Sequence, residues 1–166
     1  MAKTEQTVIS DSGPLIHLDE LDCVDLILYF DKIIIPYTVF EEVKKYRKNL
    51  FDNIPDNLFI IKDIPNHDLN IFFTLYSLQK GEQDCINIAM NFPESIFLTD
   101  DSAARLLANQ LNIKVHGTIG IILRAIRKEL KTKEQVLNIL RAIPKKSSLY
   151  IKKSLLDDII SEVKNT

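Results

Sequence analysis

Val8-Ile9-Ser10-Asp11-Ser12-Gly13-Pro14-Leu15-Ile16 is a short apolar run that ends on an aspartate and a turn. Gly13 and Pro14 stop a strand, and proline suits the first turn of a helix, where a missing N–H costs nothing. Asp11 is therefore expected at the carboxyl end of a first strand, the edge at which open α/β sheets bind ligands. The plainer alternative is that Asp11 or Ser12 only caps the helix, since both residue types are favoured caps. A second strand-to-acid junction, Ile96-Phe97-Leu98-Thr99-Asp100-Asp101, weighs against it.

Outward from Asp11, Pro14 to Leu21 and Val24 to Phe30 carry helical spacing, with Asp22 as a cap between them. Lys32 to Ile35, closed by Pro36, reads as a buried strand. Strand, helical crossover and strand imply parallel pairing. Tyr37 to Arg47 reads as a helix with Val39, Val43 and Tyr46 as its core stripe. At 100° per residue Glu42 falls roughly 70° from that stripe and borders a cleft, whereas Glu41 belongs in water.

Residues 49–57 read as a loop, Leu58 to Lys62 as a strand at an edge, and Asp68 to Leu78 as a helix. Gly81 breaks the chain before a helix that turns Cys85, Ile88, Ala89 and Phe92 inward. Glu82 and Asp84 share its first turn, where the helix dipole favours negative charge. Wheel geometry slightly favours Glu82 as the acid nearer the buried stripe, and periodicity does not separate the two. Strands follow at Ile96 to Thr99 and Lys114 to His116, with a helix from Ala103 to Leu111 between them. Thr118 caps a helix to about Leu130, and Pro144 with a Lys-Ser turn separates two amphipathic helices, Lys133 to Ala142 and Ile151 to Lys164.

The 166 residues, 46% apolar and 27% charged, suffice for one domain over 1–143 with a helical extension over 144–166 that packs on or extends it. No apolar run approaches the roughly 20 residues that span a bilayer, and no leader pattern opens the chain, so a cytoplasmic protein without membrane contact is expected. Cys23 and Cys85 lack metal or disulfide spacing and read as buried apolar groups, while His17, His67 and His116 read as incidental. The absence of a Gly-rich phosphate loop disfavours a nucleotide-binding domain. The net charge of −2 hides an asymmetry: residues 103–166 carry 13 Lys+Arg against 5 Asp+Glu, and residues 1–102 carry 8 against 18. Charge alone favours solvated helix faces for the basic third, because base-stacking aromatics are nearly absent there.

Four carboxylates gathered in one cleft would repel one another by several kcal/mol unless a cation joined them. Oxygen ligands with open positions suit Mg²⁺ or Mn²⁺. The spacing of Asp11, Glu42, Asp84 and Thr99-Asp100-Asp101 resembles that of the PIN-domain nucleases. Asp11-Ser12-Gly13-Pro14-Leu15-Ile16, Ile35-Pro36 with Glu42-Val43, Gly81-Glu82, Thr99-Asp100-Asp101 with Arg105, and Gly117-Thr118-Ile119-Gly120 are similar to the motifs of one prokaryotic branch of that superfamily, with VapC-like toxin relatives.

The resemblance implies a three-layer α/β/α sandwich around a central parallel sheet, with additional C-terminal helices. It also implies a divalent-metal-dependent ribonuclease hydrolysing RNA phosphodiester bonds, as the toxin of a toxin–antitoxin pair, with an antitoxin protein and a homodimer among its partners. Asp11, Glu42, Asp84 and Asp101 match the family's acidic quartet as catalytic residues and metal ligands, with Asp100 as an extra ligand. Asp84 is preferred to Glu82 because the family acid precedes a helix like Ile86-Asn87-Ile88-Ala89.

Ser12, Thr99, Arg105 and Thr118 are then candidates to orient water or phosphate, although Ser12, Thr99 and Thr118 also read as ordinary caps, and Arg105 as a partner of Asp101 one turn away. Arg124, Arg127, Lys128 and Lys131 are expected to form a basic groove for RNA. The competing reading is a catalytically silent scaffold or protein-binding module.

Overall fold

The computed structural model describes residues 5–166. Residues 1–4, which the leader reading and the expected domain include, lie outside the described residues. The apolar runs become five strands: β1 Thr7–Ser10, β2 Lys32–Pro36, β3 Leu58–Ile61, β4 Ile96–Leu98 and β5 Lys114–His116. All pair in parallel, in the order β3-β2-β1-β4-β5. Parallel strands are covered on both faces, hence the continuous apolar runs. Ile9, Ile33, Ile34, Ile35, Phe97 and Leu98 are fully buried.

Nine helices complete the described chain: α1 Ser12–Glu20, α2 Asp25–Leu28, α3 Tyr37–Tyr46, α4 Asn70–Leu75, α5 Lys80–Met90, α6 Ser102–Gln110, α7 Thr118–Arg127, α8 Lys133–Lys146 and α9 Lys153–Asn165. The architecture is an α/β/α sandwich with C-terminal helices. On one side α5 packs across β1, β2 and β4. Elsewhere α1 meets α3 and α7, and α8 packs on both α7 and α9. Glu20 fastens the α8–α9 connection to α1 by accepting bonds from the Ser147 hydroxyl and from the Ser148 N–H and hydroxyl.

The chain builds outward from β1 to β2 and β3, then crosses to β4 and β5 on the other flank. The strand order therefore reverses between β1 and β4. Ligand crevices in such sheets open at this switch point, beyond the carboxyl ends of the strands. With Ser10 paired to Leu98 in register, Asp11 and Thr99-Asp100-Asp101 leave the sheet side by side at that crevice.

Several local expectations change. Asp22 adopts a left-handed conformation, with φ 55°, at the end of α1 instead of capping α2, whose cap position is Val24. Asp68–Leu78 shortens to α4. Tyr46 leaves the predicted core stripe and is 64% exposed, because it stands at the last turn of α3 beyond the layer that buries Val39 and Val43. The cap of α7 is Gly117; Thr118 lies inside the helix. Pro144 lies in the last turn of α8, which runs on to Lys146, since burial of Leu140 and Ile143 keeps that turn packed.

Candidate active site

Asp11 takes the cap position of α1 but its carboxylate makes no capping bond along the helix. It is 6% exposed, and its Oδ2 accepts from the Thr99 hydroxyl at 3.2 Å. The same hydroxyl oxygen accepts from the Asp101 N–H at 3.2 Å. Thr99 is wholly buried and so fixes two acids relative to each other instead of touching a substrate. Burial is the main reason that the Asp11 carboxyl is pushed up to about 6. The Ser12 N–H and Thr99 oppose the rise, while the charges of Glu42 and Asp101 add to it.

Glu42 and Asp101 arrive from different elements. Glu42 stands half-buried on α3, and Asp101 is exposed, capping α6 through the Ala104 N–H at 2.7 Å. Glu82 comes from the first turn of α5, where its Oε2 accepts the Gln79 N–H at 2.8 Å in a capping box. Its carboxyl is raised to about 7, first by burial and then, against the Gln79 bond, by the charges of Asp11, Asp101 and Glu42. Asp11, Glu42, Glu82 and Asp101 thus share one electrostatic field at the switch point.

Gly81 explains how α5 can sit there. A Cβ on Gly81 would stand 3.2 Å from Val39 Cγ2 and 3.6 Å from both Asp11 Oδ1 and Glu42 Oε2. It is no breaker, as the sequence suggested, but part of the first turn of α5, and its missing side chain leaves room between two carboxylates.

Asp84, expected in the quartet, is already engaged by two neighbours. It is 1% exposed; its Oδ2 accepts from the Thr38 hydroxyl at 2.8 Å, and the Lys80 ammonium stands 2.7 Å from Oδ1. That ammonium is at pairing distance but badly directed, so Oδ1 is left without a well-formed hydrogen bond. The capping box holds Glu82 in the field of Asp11, Glu42 and Asp101, and Asp84, on the same turn, acts with Asp11, Glu82 and Glu42 in raising the Cys85 thiol after burial.

The adjacent aspartates also divide. Asp101 faces the cleft, whereas Asp100 turns away into a clamp of the His17 ring at 2.7 Å, the Thr118 N–H at 2.7 Å and the Thr118 hydroxyl at 2.5 Å. Burial alone would raise the Asp100 carboxyl, but these donors hold it below the usual carboxylate value. An ionised carboxylate only accepts, so His17 carries its proton on Nδ1. His17 is not incidental, and Thr118, wholly buried, serves Asp100 and not a substrate. A Cβ on Gly117 would fall 2.7 Å from both Asp100 Oδ1 and the Arg105 guanidinium, so the glycine is needed for close approach. Arg105 donates to the Thr99 carbonyl at 3.3 Å.

Ser12 is nearly buried at 8% exposure, with its N–H on Asp11. The expected basic groove lies elsewhere. Arg124 donates to Gln6 Oε1 at 2.8 Å and lies 4.1 Å over the Phe30 ring, beside the amino ends of β1 and β2. Arg127 and Lys128 line the same small cavity of about 120 Å³, and Lys131 pairs with Asp25 at 3.4 Å. Helix α7 begins at the cleft and runs away from it, carrying Arg124 about 9 Å from Thr118. The cysteines are buried, and burial pushes the Cys23 thiol up to about 12.

Residues 7–165 match DUF3368, a family of PIN domains. The chain belongs to the PIN-domain family. PIN domains are generally nucleases and typically use divalent metal ions. A comparison with curated proteins finds no match.

The acids of this PIN domain suit a hard divalent cation by donor chemistry: all are oxygens, Gly81 leaves space between Asp11 and Glu42, and the buried Asp84 Oδ1 has no directed donor. They meet as an open rim; among the described residues no three acidic, histidine or cysteine side chains already close around one point. The sequence reading marked Gly81 only as a breaker and motif residue, and it missed His17, Thr38 and Lys80. One signal was available for His17: it follows Gly13 by four residues, on the same helical face.

Proposed function

We propose that the chain is a divalent-metal-dependent endoribonuclease that hydrolyses RNA phosphodiester bonds. The observation that carries this reading is the convergence of Asp11, Glu42, Glu82 and Asp101 at the switch point, with Asp11 raised to about 6 by burial and by its neighbours' charges. Carboxylates held in mutual repulsion are relieved by a cation, and the folded chain gains stability when it binds one. Asp11, Glu42 and Asp101 would hold Mg²⁺ or Mn²⁺, with Glu82 bordering the ion and Asp84 reached once Lys80 moves aside. Such an ion supplies Lewis-acid chemistry, strengthening water as a nucleophile and neutralising charge that gathers on the phosphate.

The protein's own part is positional. Thr99 ties Asp11 to the Asp101 backbone, the Asp100 clamp fixes the β4–α6 turn, and Gly81 keeps the space open. Incubating the chain with single-stranded RNA, with and without Mn²⁺ or EDTA, tests the reading. Metal-dependent cleavage that Asp11→Asn removes is expected; cleavage indifferent to EDTA or to that substitution would refute it.

The resemblance to VapC-like toxins extends the proposal to a cytoplasmic toxin with a protein antitoxin. Ile71, 81% exposed, and Leu75, 73% exposed, stand one turn apart on α4 and offer apolar surface to such a partner. Copurification of a small protein from the native host, lost on Ile71→Lys, is the expected result; a chain that purifies alone from that host counts against it.

A further inference from the structure

The end of α3 carries Lys44-Lys45-Tyr46-Arg47-Lys48, a run the acidic site does not use. Arg47 is engaged by Asp19. Lys44 lies 5.1 Å over the Phe40 ring. Lys44, Lys45 and Lys48 are exposed and make no ion pair among the described residues. A helix C-terminus favours cations, which accounts for Lys44 and Lys45. It does not account for an exposed Tyr46 between them and Lys48, or for Lys48 itself beyond the helix.

The surface shape gives these residues a common use. An open groove of about 590 Å³ is lined by Glu41, Glu42, Lys44, Lys45 and Tyr46. A second, of about 430 Å³, continues past Tyr46 along Arg47, Lys48, Asn49 and Leu50, with Asp19, the partner of Arg47, on its wall. Tyr46 is a wall of both, and Glu42 belongs to the acid cluster as well as to the first. A strip therefore leads from the cleft along α3, past Lys45 and the exposed Tyr46 ring to Lys48, flanked by Lys44 and by the acids Glu41 and Asp19. A cationic groove with an aromatic platform is how proteins hold single-stranded nucleic acid, phosphates on the cations and a base on the ring.

We infer that this strip on α3 is the track along which single-stranded RNA leaves the acidic cleft. Lys44, Lys45 and Lys48 neutralise successive phosphates, and Tyr46 stacks one base. The inference rests on the ribonuclease reading and names where its substrate lies. Another pair of cations, Arg127 and Lys128, lines the cavity beside Gln6 and Phe30, away from Asp11.

The test uses the full chain carrying Asp11→Asn, which holds RNA without turnover, and a fluorescent single-stranded RNA oligonucleotide titrated in Mg²⁺ at several salt concentrations. Adding Lys45→Glu with Lys48→Glu should weaken binding more than tenfold and reduce the slope of log affinity against log salt by about 1.4, two phosphates at ~0.7 each. Adding Tyr46→Ala should weaken binding about fivefold or more and leave that slope unchanged, because a ring carries no charge. In the active chain the same changes should raise KM and spare the rate at saturating RNA. Arg127→Glu with Lys128→Glu should do neither. If the parent binds and cleaves RNA while the α3 variants match it, or if the Arg127 and Lys128 variant is the one that loses binding, the track is overturned and the ribonuclease reading stands. A parent that neither binds nor cleaves RNA removes both.

Discussion

The two ends of the sheet treat charge in opposite ways. At the carboxyl end burial and the charges of Glu42 and Asp101 raise the proton affinity of Asp11 and Glu82. At the amino end Arg124 has an aromatic ring beneath it and an amide oxygen to donate to, and Lys131 has Asp25. Like charge costs stability at both ends, but at the amino end the ring, the amide oxygen and Asp25 offset the repulsion between Arg124 and Arg127, while the buried acids have few such donors. That difference supports the proposal that ligand binds at the carboxyl end.

The strongest way to break this division is at Asp11. Asp11→Asn keeps the shape of the side chain and removes its charge, and loss of one preorganised electrostatic group typically costs about a hundredfold or more in rate. RNA cleavage with saturating Mn²⁺ should fall by at least that much, and Asp101→Asn should follow it. Full activity in Asp101→Asn would mean that Asp101 only caps α6.

Asp100 sharpens the comparison within the carboxyl end itself, because it is an acid fully supplied with donors. Asp100→Ala would strand the Thr118 N–H and the His17 ring, and breaking such a partly buried charged network costs about 3 kcal/mol. Urea denaturation should show that loss with or without metal. A metal-dependent difference in stability would instead make Asp100 a ligand, as the resemblance implied.

Asp11 should have the reverse effect on stability when no metal is present. Its carboxyl is about 6 in the folded chain against 3.8 ordinarily. Between these values the unfolded chain has released the proton and the folded chain retains it, so stability falls as pH rises through this window and the full cost is present above it. Asp11→Asn should therefore be more stable than the parent by about 3 kcal/mol at pH 8 in EDTA, and equal to it below pH 4. Added Mn²⁺ should close the gap at pH 8 by stabilising only the parent. A parent that is the more stable protein at pH 8 in EDTA would deny that its acids are strained.

The fold was legible because its strands are buried on both faces and bounded by residues with one meaning, Pro36 at the end of β2 and the acids after β1 and β4. What was not legible depended on rotation and direction. Glu82 and Asp84 share one turn, and the partners that engage them, the Gln79 N–H for Glu82 and the Thr38 hydroxyl for Asp84, cannot be read from spacing. Asp100 and Asp101 are neighbours in sequence, and only the clamp of His17 and Thr118, from two other helices, separates them. Arg124 and Arg127 looked close to the acids because their helix starts at the cleft, yet that helix points away from it. Spacing identifies who is near the end of a strand; it does not say which way a side chain or a helix turns.

The smallest expected effect lies at the amino end. Arg124→Met preserves a straight apolar stem over Phe30 and removes the guanidinium, which loses a cation–π contact and the bond to Gln6 while relieving the repulsion from Arg127 that lowers the Arg124 proton affinity after burial. Such contacts are each worth about 1 kcal/mol and the relief offsets part of them, so a net loss of ~1 kcal/mol is expected. For a chain of this size that is a fall in Tm of about 2–4 °C. The rate at saturating RNA should not change, since the guanidinium stands near Gln6 and not near Asp11. A tenfold loss of rate with the same small change in Tm would place RNA against Arg124, and the two ends of the sheet would then have to be read as one surface.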